Sequence, residues 1–173
     1  MYDKGMKKAL IVLDMQNVCV GKNNAPIFQY NKEALIWNVN KVIESRQHDL
    51  VVYIRTVLKN NPLLCALSPL KVFEGSPEAN LVDELTIISE HVLLKYRGDA
   101  FSNPELAKLL KKHHIDEVEI IGVDGAGCVV RTANGAIKNG FKAIINVQAT
   151  DTNYKLRQKI AFKKLKKKGV KFI

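Results

Sequence analysis

Short apolar runs of strand length alternate with stretches of helical periodicity along most of this chain, and that rhythm constrains its fold more than any other feature. Strand-like runs occupy residues 8–13, 50–55, 92–95, 118–123, 142–147 and 170–173. Between them, residues 31–47 put Leu35, Val39 and Val42 on one helical face, with Ile36 and Ile43 beside it. Ser102-Asn103-Pro104-Glu105 reads as a capping box opening a helix that runs to His113. Further helices are expected over 129–139, stopped by Gly140, and over 154–168. Strand followed by helix followed by strand predicts parallel crossovers, so the expectation is an α/β fold with a mostly parallel six-stranded sheet covered by helices on both faces. With 173 residues, the chain is expected to form a single domain over 1–173.

The remaining composition narrows the function classes. Hydrophobic residues at 47% and charged residues at 25% exclude a disordered chain. The apolar run from Ala9 is stopped by Asp14, too short for a bilayer span or a signal-peptide core, so neither secretion nor membrane insertion is expected. Cys19, Cys65 and Cys128 are odd in number and match no zinc spacing, which points to free thiols in a reducing cytoplasm. The net charge of +10 is concentrated near the C-terminus, where Lys163, Lys164, Lys166, Lys167 and Lys168 cluster. No recognition motif or aromatic stacking pattern accompanies them. They are read as the solvated face of the last helix, with Ile160, Phe162 and Leu165 as candidates for its buried side, rather than as a nucleic-acid interface. Residues 57–80 hold Pro62, Pro69, Gly75 and Pro77. This segment is a surface excursion and the candidate lid or specificity loop.

The most distinctive segment is Ile121-Gly-Val-Asp-Gly-Ala-Gly-Cys128-Val-Val-Arg131. A strand feeds a glycine-rich turn that delivers a cysteine to a helix N-terminus. Unpaired backbone N–H groups and the helix dipole there favour thiolate, the nucleophilic form. In open parallel sheets, ligands bind beyond the carboxyl ends of the strands. Asp14 ends the first strand, Lys95 ends the third, and Cys128 follows the fourth, so all three can meet at one sheet edge. Cysteine then supplies a nucleophile, Asp14 a proton acceptor, and Lys95 a charge favouring both anions. Gly125 and Gly127 let backbone N–H groups turn towards a developing oxyanion. Read singly, each residue has an ordinary structural role: a turn-forming aspartate, a solvated lysine, a small buried hydrophobe.

These residues resemble the isochorismatase-like cysteine hydrolases. Leu10-Ile-Val-Leu-Asp-Met-Gln16 is similar to the family's opening strand, Lys95-Tyr-Arg-Gly-Asp-Ala-Phe-Ser102 to its lysine segment, and Gly122-Val-Asp-Gly-Ala-Gly-Cys-Val129 with Thr132, Ala133, Ala136 and Gly140 to its nucleophile segment. The resemblance implies a three-layer α/β/α sandwich, an Asp14–Lys95–Cys128 triad and a cis peptide bond at Val123–Asp124. It also implies an oxyanion hole made by the backbone N–H groups of Asp124 and Cys128. A homodimer or larger homo-oligomer is expected from the same resemblance. Gln16, Tyr96, Arg97, Phe101 and Arg131 are weaker candidates for the substrate pocket or its support.

Two departures from the family pattern shape the functional expectation. Gly125-Ala126-Gly127 stands where many members carry polar residues, so that loop is expected to be more flexible or to admit a different substrate. The Asp-x-His metal motif of nicotinamidases is missing from Arg55-Thr-Val-Leu-Lys-Asn60. With Cys128 retained, the expectation is a metal-independent and cofactor-free hydrolase. Its substrate would be a small amide, ureido or carbamoyl compound, cleaved at a C–N bond through a Cys128 thioester. The alternatives are an inactive binding or regulatory protein on the same scaffold, and a vinyl ether hydrolase of the isochorismatase type. His48, His91, His113 and His114 are read as surface or structural residues. Cys19 either lines the pocket or packs.

Overall fold

The computed structural model describes residues 6–47, 49–59, 61, 67–68 and 70–173. His48, Pro62, Cys65 and Pro69 lie outside the described residues. Six strands form one sheet: β1 Lys8–Leu13, β2 Leu50–Thr56, β3 Val92–Lys95, β4 Glu117–Gly122, β5 Lys142–Thr150 and β6 Lys171–Phe172. Their order is β3-β2-β1-β4-β5-β6, and every adjacent pair is parallel. The helices are α1 Asn17–Val20, α2 Lys32–Glu44, α3 Pro104–Lys112, α4 Cys128–Lys138 and α5 Lys155–Lys167. This is the expected three-layer α/β fold. Among the described residues, no helix is long and apolar enough to cross a membrane.

Alternation along the strands divides the core into two halves. Leu10 and Val12 of β1, Val51 and Tyr53 of β2, and Ile121 of β4 face α1 and α2, where Val18, Leu35, Val39 and Ile43 are buried. Ala9, Ile11 and Leu13, Val52 and Ile54, and Val118 and Ile120 face the other way. They pack on Leu106 and Leu110 of α3, Val129, Ala133 and Ala136 of α4, and Leu165 of α5. Central strands covered on both faces need apolar residues at successive positions. The burial of all of Ala9 to Leu13 is the physical meaning of that unbroken run.

Several boundaries differ from the sequence-based expectation. Ser102 does not cap α3: it ends a 3₁₀ turn, Ala100–Ser102, which is capped by the Asp99 side chain. Asn103 caps the helix, its side chain accepting from the Glu105 N–H at 3.0 Å. Strand β5 runs three residues past Val147. Exposed Val147 and Gln148 interrupt its apolar pattern, and a register shift between Ile120 and Gly122 lets Thr150 pair with Gly122. Helix α1 is a single turn, too short to leave a periodic signal. Within 57–80, the described residues include one 3₁₀ turn, Pro77–Ala79. On α5, Leu165 is buried and Phe162 packs against Phe172 with ring centroids 4.8 Å apart. Ile160 instead points outward, 52% exposed, so it does not belong to the buried side of that helix.

Candidate active site

The strand order reverses direction between β1 and β4, the place where open parallel sheets bind ligands beyond their carboxyl ends. Asp14 follows the last residue of β1, with φ +55°, a left-handed conformation that aspartate tolerates better than most residues. This turn places its carboxylate under the sheet edge, 3% exposed. Lys95 is the last residue of β3 and is fully buried. Cys128 is the first residue of α4 and half-buried. The three side chains converge: Lys95 Nζ donates to Asp14 Oδ2 at 2.8 Å and to Cys128 Sγ at 3.3 Å.

Between Lys95 and Asp14 stands Thr56, the last residue of β2, which the sequence reading did not single out. Strand β2 lies between β1 and β3, and Thr56 is directly in register with Lys95. Its Oγ1 accepts from Lys95 Nζ and donates to Asp14 Oδ1 at 2.8 Å. Gln16 holds Thr56 by its backbone. Gln16 Oε1 accepts from the Thr56 N–H at 2.7 Å, and Nε2 donates to the Thr56 carbonyl at 2.9 Å and the Ala79 carbonyl at 2.8 Å.

The charge balance differs from the expectation of a ready thiolate. Burial and the neighbouring Asp14 carboxylate push the Cys128 thiol up to about 12, and the thiol's own hydrogen bond to Asp14 adds to this. The Lys95 charge and its hydrogen bond act in the opposite direction without overcoming these effects. Burial alone would lower the Lys95 ammonium. The Asp14 and Cys128 charges and hydrogen bonds outweigh it and raise the pKa above the ordinary lysine value, so Lys95 stays charged. The resting site is therefore a protonated thiol beside a carboxylate–ammonium pair.

The loop before Cys128 is pinned. The peptide bond Val123–Asp124 is cis. The Asp124 carboxylate accepts from the Ala126 N–H at 2.8 Å, from the Tyr30 hydroxyl at 3.1 Å and from the Thr152 hydroxyl at 2.8 Å. The Asp124 carbonyl accepts from the Gly127 and Val129 N–H groups, and the Gly125 N–H donates to the Asp151 carbonyl at 2.8 Å. Gly125 sits so close to its neighbours that a Cβ there would lie 3.0 Å from Thr150 Cγ2 and 3.2 Å from the Asp151 carbonyl oxygen. The expectation of a looser Gly-Ala-Gly loop does not fit this bonding. Among the described residues, the N–H groups of Asp124 and Cys128 are left without a protein acceptor.

The weaker candidates separate. Gln16 is fully buried and its amide is committed to backbone groups, a support rather than a pocket wall. Phe101 packs on Phe141 with centroids 5.7 Å apart, within the core on the α3–α4 side. Arg131 lies along Gly98, in space that a side chain there would occupy. Tyr96 and Arg97 line a cavity of about 520 Å³ together with Lys59 and Lys95. Cys19 is buried in the α2-side core, its thiol raised by burial and then by Asp14. His91 and His113 meet edge to face at 6.1 Å, away from these groups. Among the described residues, no three His, Cys, Asp or Glu side chains gather as a metal site would require.

The isochorismatase domain model matches residues 8–173. The chain belongs to the isochorismatase family of hydrolases. No curated protein matches it. Among solved structures, it is similar to an isochorismatase-like hydrolase from Alkaliphilus metalliredigens, at 25% identity over 96% of this chain and 93% of that one, with a TM-score of 0.82. It is similar at 25% identity to PnC1 from L. infantum in complex with nicotinate, over 97% and 92% of the two chains, with a TM-score of 0.84. The pyrazinamidase of Pyrococcus horikoshii in complex with zinc also shares 25% identity, over 96% and 98%, with a TM-score of 0.76. In this isochorismatase-family chain, the end of β2 and the residue after it offer Arg55, Thr56 and Val57, none of them an ordinary zinc ligand.

Proposed function

We propose that this family member is a metal-independent cysteine amidohydrolase acting on a small amide, ureido or carbamoyl compound. The observation that carries the reading is the contiguous Cys128–Lys95–Asp14 cluster, with the Asp124 and Cys128 N–H groups left free to donate to a developing oxyanion. Cys128 Sγ attacks the carbonyl carbon while its proton passes to Asp14. The oxyanion is held by the Asp124 and Cys128 N–H groups. The C–N bond breaks as Asp14 returns the proton to the leaving amine, which leaves a thioester on Cys128. Water then attacks the thioester, giving a proton to Asp14. Collapse releases the acid, and the proton returns to sulfur. Lys95 stays positive throughout and offsets the charge on Asp14 and sulfur in turn.

The similar pyrazinamidase, whose name denotes an amide substrate, supports an amide substrate here. The residues at the end of β2 support catalysis without a resident metal. The test is turnover of a panel of nicotinamide, pyrazinamide, N-carbamoylsarcosine and simple aliphatic amides, with and without EDTA. Release of ammonia or amine, unchanged by EDTA and abolished in Cys128→Ala, is the expected result. Turnover lost on chelation and restored by a divalent metal would contradict metal independence.

A further inference from the structure

We infer that Thr56 is a positioning residue whose hydroxyl fixes Asp14 as the proton acceptor; this rests on the cysteine hydrolase reading above. Strand order makes it a candidate, because any path from Lys95 on β3 to Asp14 after β1 crosses the end of β2. The geometry fixes the direction of its proton. Lys95 Nζ can only donate, so Thr56 Oγ1 accepts from it and must turn its own hydrogen towards Asp14 Oδ1, 2.8 Å away. Lys95 also donates to Asp14 Oδ2 and to Cys128 Sγ. Its three ammonium hydrogens therefore have three acceptors, and both carboxylate oxygens are held.

This closed ring prevents Asp14 from rotating. Asp14 stays beside the ammonium that also contacts Cys128 Sγ, placed to take the thiol's proton and to return it to the leaving group. Gln16 secures the same arrangement from behind. Its amide bonds both the N–H and the carbonyl of Thr56, so the hydroxyl cannot drift with the strand end. A residue that only packed here would need bulk. The role inferred needs a hydroxyl.

The test uses p-nitrophenyl acetate, whose acetyl group would be carried on Cys128 and whose release is read as p-nitrophenolate. In Thr56→Val, kcat is expected to fall about fivefold or more with KM nearly unchanged, the loss of one well-placed hydrogen bond. Thr56→Ser is expected to recover the rate to within about twofold, since it restores the donor and acceptor. Thermal melting of each variant separates folding from chemistry, and Thr56→Ala replaces the valine variant if that one does not fold. Wild-type kcat without the hydroxyl would overturn the inference, as would equal loss in Thr56→Ser. If Asp14→Asn loses turnover while Thr56→Val keeps it, the inference fails alone. If Cys128→Ala releases p-nitrophenolate as fast as wild type, the thioester reading fails and takes the inference with it.

Discussion

Lys95 Nζ lies 3.3 Å from Cys128 Sγ, yet the thiol remains protonated because burial and Asp14 outweigh that cation. A buried thiol in contact with a carboxylate is a poor free nucleophile and a good partner for concerted proton transfer. This relationship separates two properties that are often treated as one, chemical reactivity of the thiol and turnover.

With the thiol pushed up to about 12, the thiolate fraction rises about tenfold per pH unit throughout the neutral and mildly alkaline range. Iodoacetamide modification of Cys128, followed by peptide mass spectrometry, should accelerate steadily from pH 7 to 10 without levelling. A plateau near neutral pH would show a thiolate already formed.

Asp14→Asn removes one cause of the raised thiol value, so the pKa should fall towards the ordinary range. Alkylation at pH 8 should then become faster while hydrolytic turnover drops by roughly two orders of magnitude or more, the size of a general-base contribution. Parallel loss of both would mean that Asp14 acts only through structure.

Lys95→Met leaves Asp14 buried without its counterion. Breaking a buried pair in this way is expected to destabilise the fold by about 3 kcal/mol, read as a lower urea midpoint. The double variant Asp14→Asn with Lys95→Met should recover part of that loss, because no orphan charge remains and asparagine also tolerates the left-handed backbone of residue 14.

Gly125→Ala brings a Cβ against Thr150 and the Asp151 carbonyl, whose oxygen already accepts from the Gly125 N–H. Overpacking of this kind costs about 1–3 kcal/mol, and the displaced loop should lower kcat more than it raises KM. Urea denaturation and steady-state kinetics on one preparation check both halves.

Most of the layer architecture was legible because burial on both sheet faces leaves unbroken apolar runs such as Ala9 to Leu13. Asp14, Lys95 and Cys128 were legible because each sits at the carboxyl end of such a run or on the turn after it. Thr56 was not, since its role exists only once β2 lies between β1 and β3, and strand order leaves no local trace. A hydroxyl at a strand end carries no signal of its own. Tyr30 and Thr152 were missed for the same reason: they reach Asp124 from 94 and 28 residues away. Phe101 and Arg131 were candidates for the pocket or its support because they lie near Lys95 and Cys128 in sequence. The structure turns one towards Phe141 and the other along Gly98. The helix N-terminus behind Cys128 is visible in sequence, whereas the burial against Asp14 that raises the thiol is not.

The most direct test of the account is the covalent state of Cys128 during turnover. Acid-quenched mixtures with a hydrolysed amide, analysed by intact-protein and peptide mass spectrometry, should show a transient acyl group on the Cys128 peptide. The adduct should build up before steady state, decay as product accumulates, and be missing in Cys128→Ala, which should not turn over. Wild-type hydrolysis by Cys128→Ala, with no acyl group on the peptide at any time, would contradict the thioester mechanism.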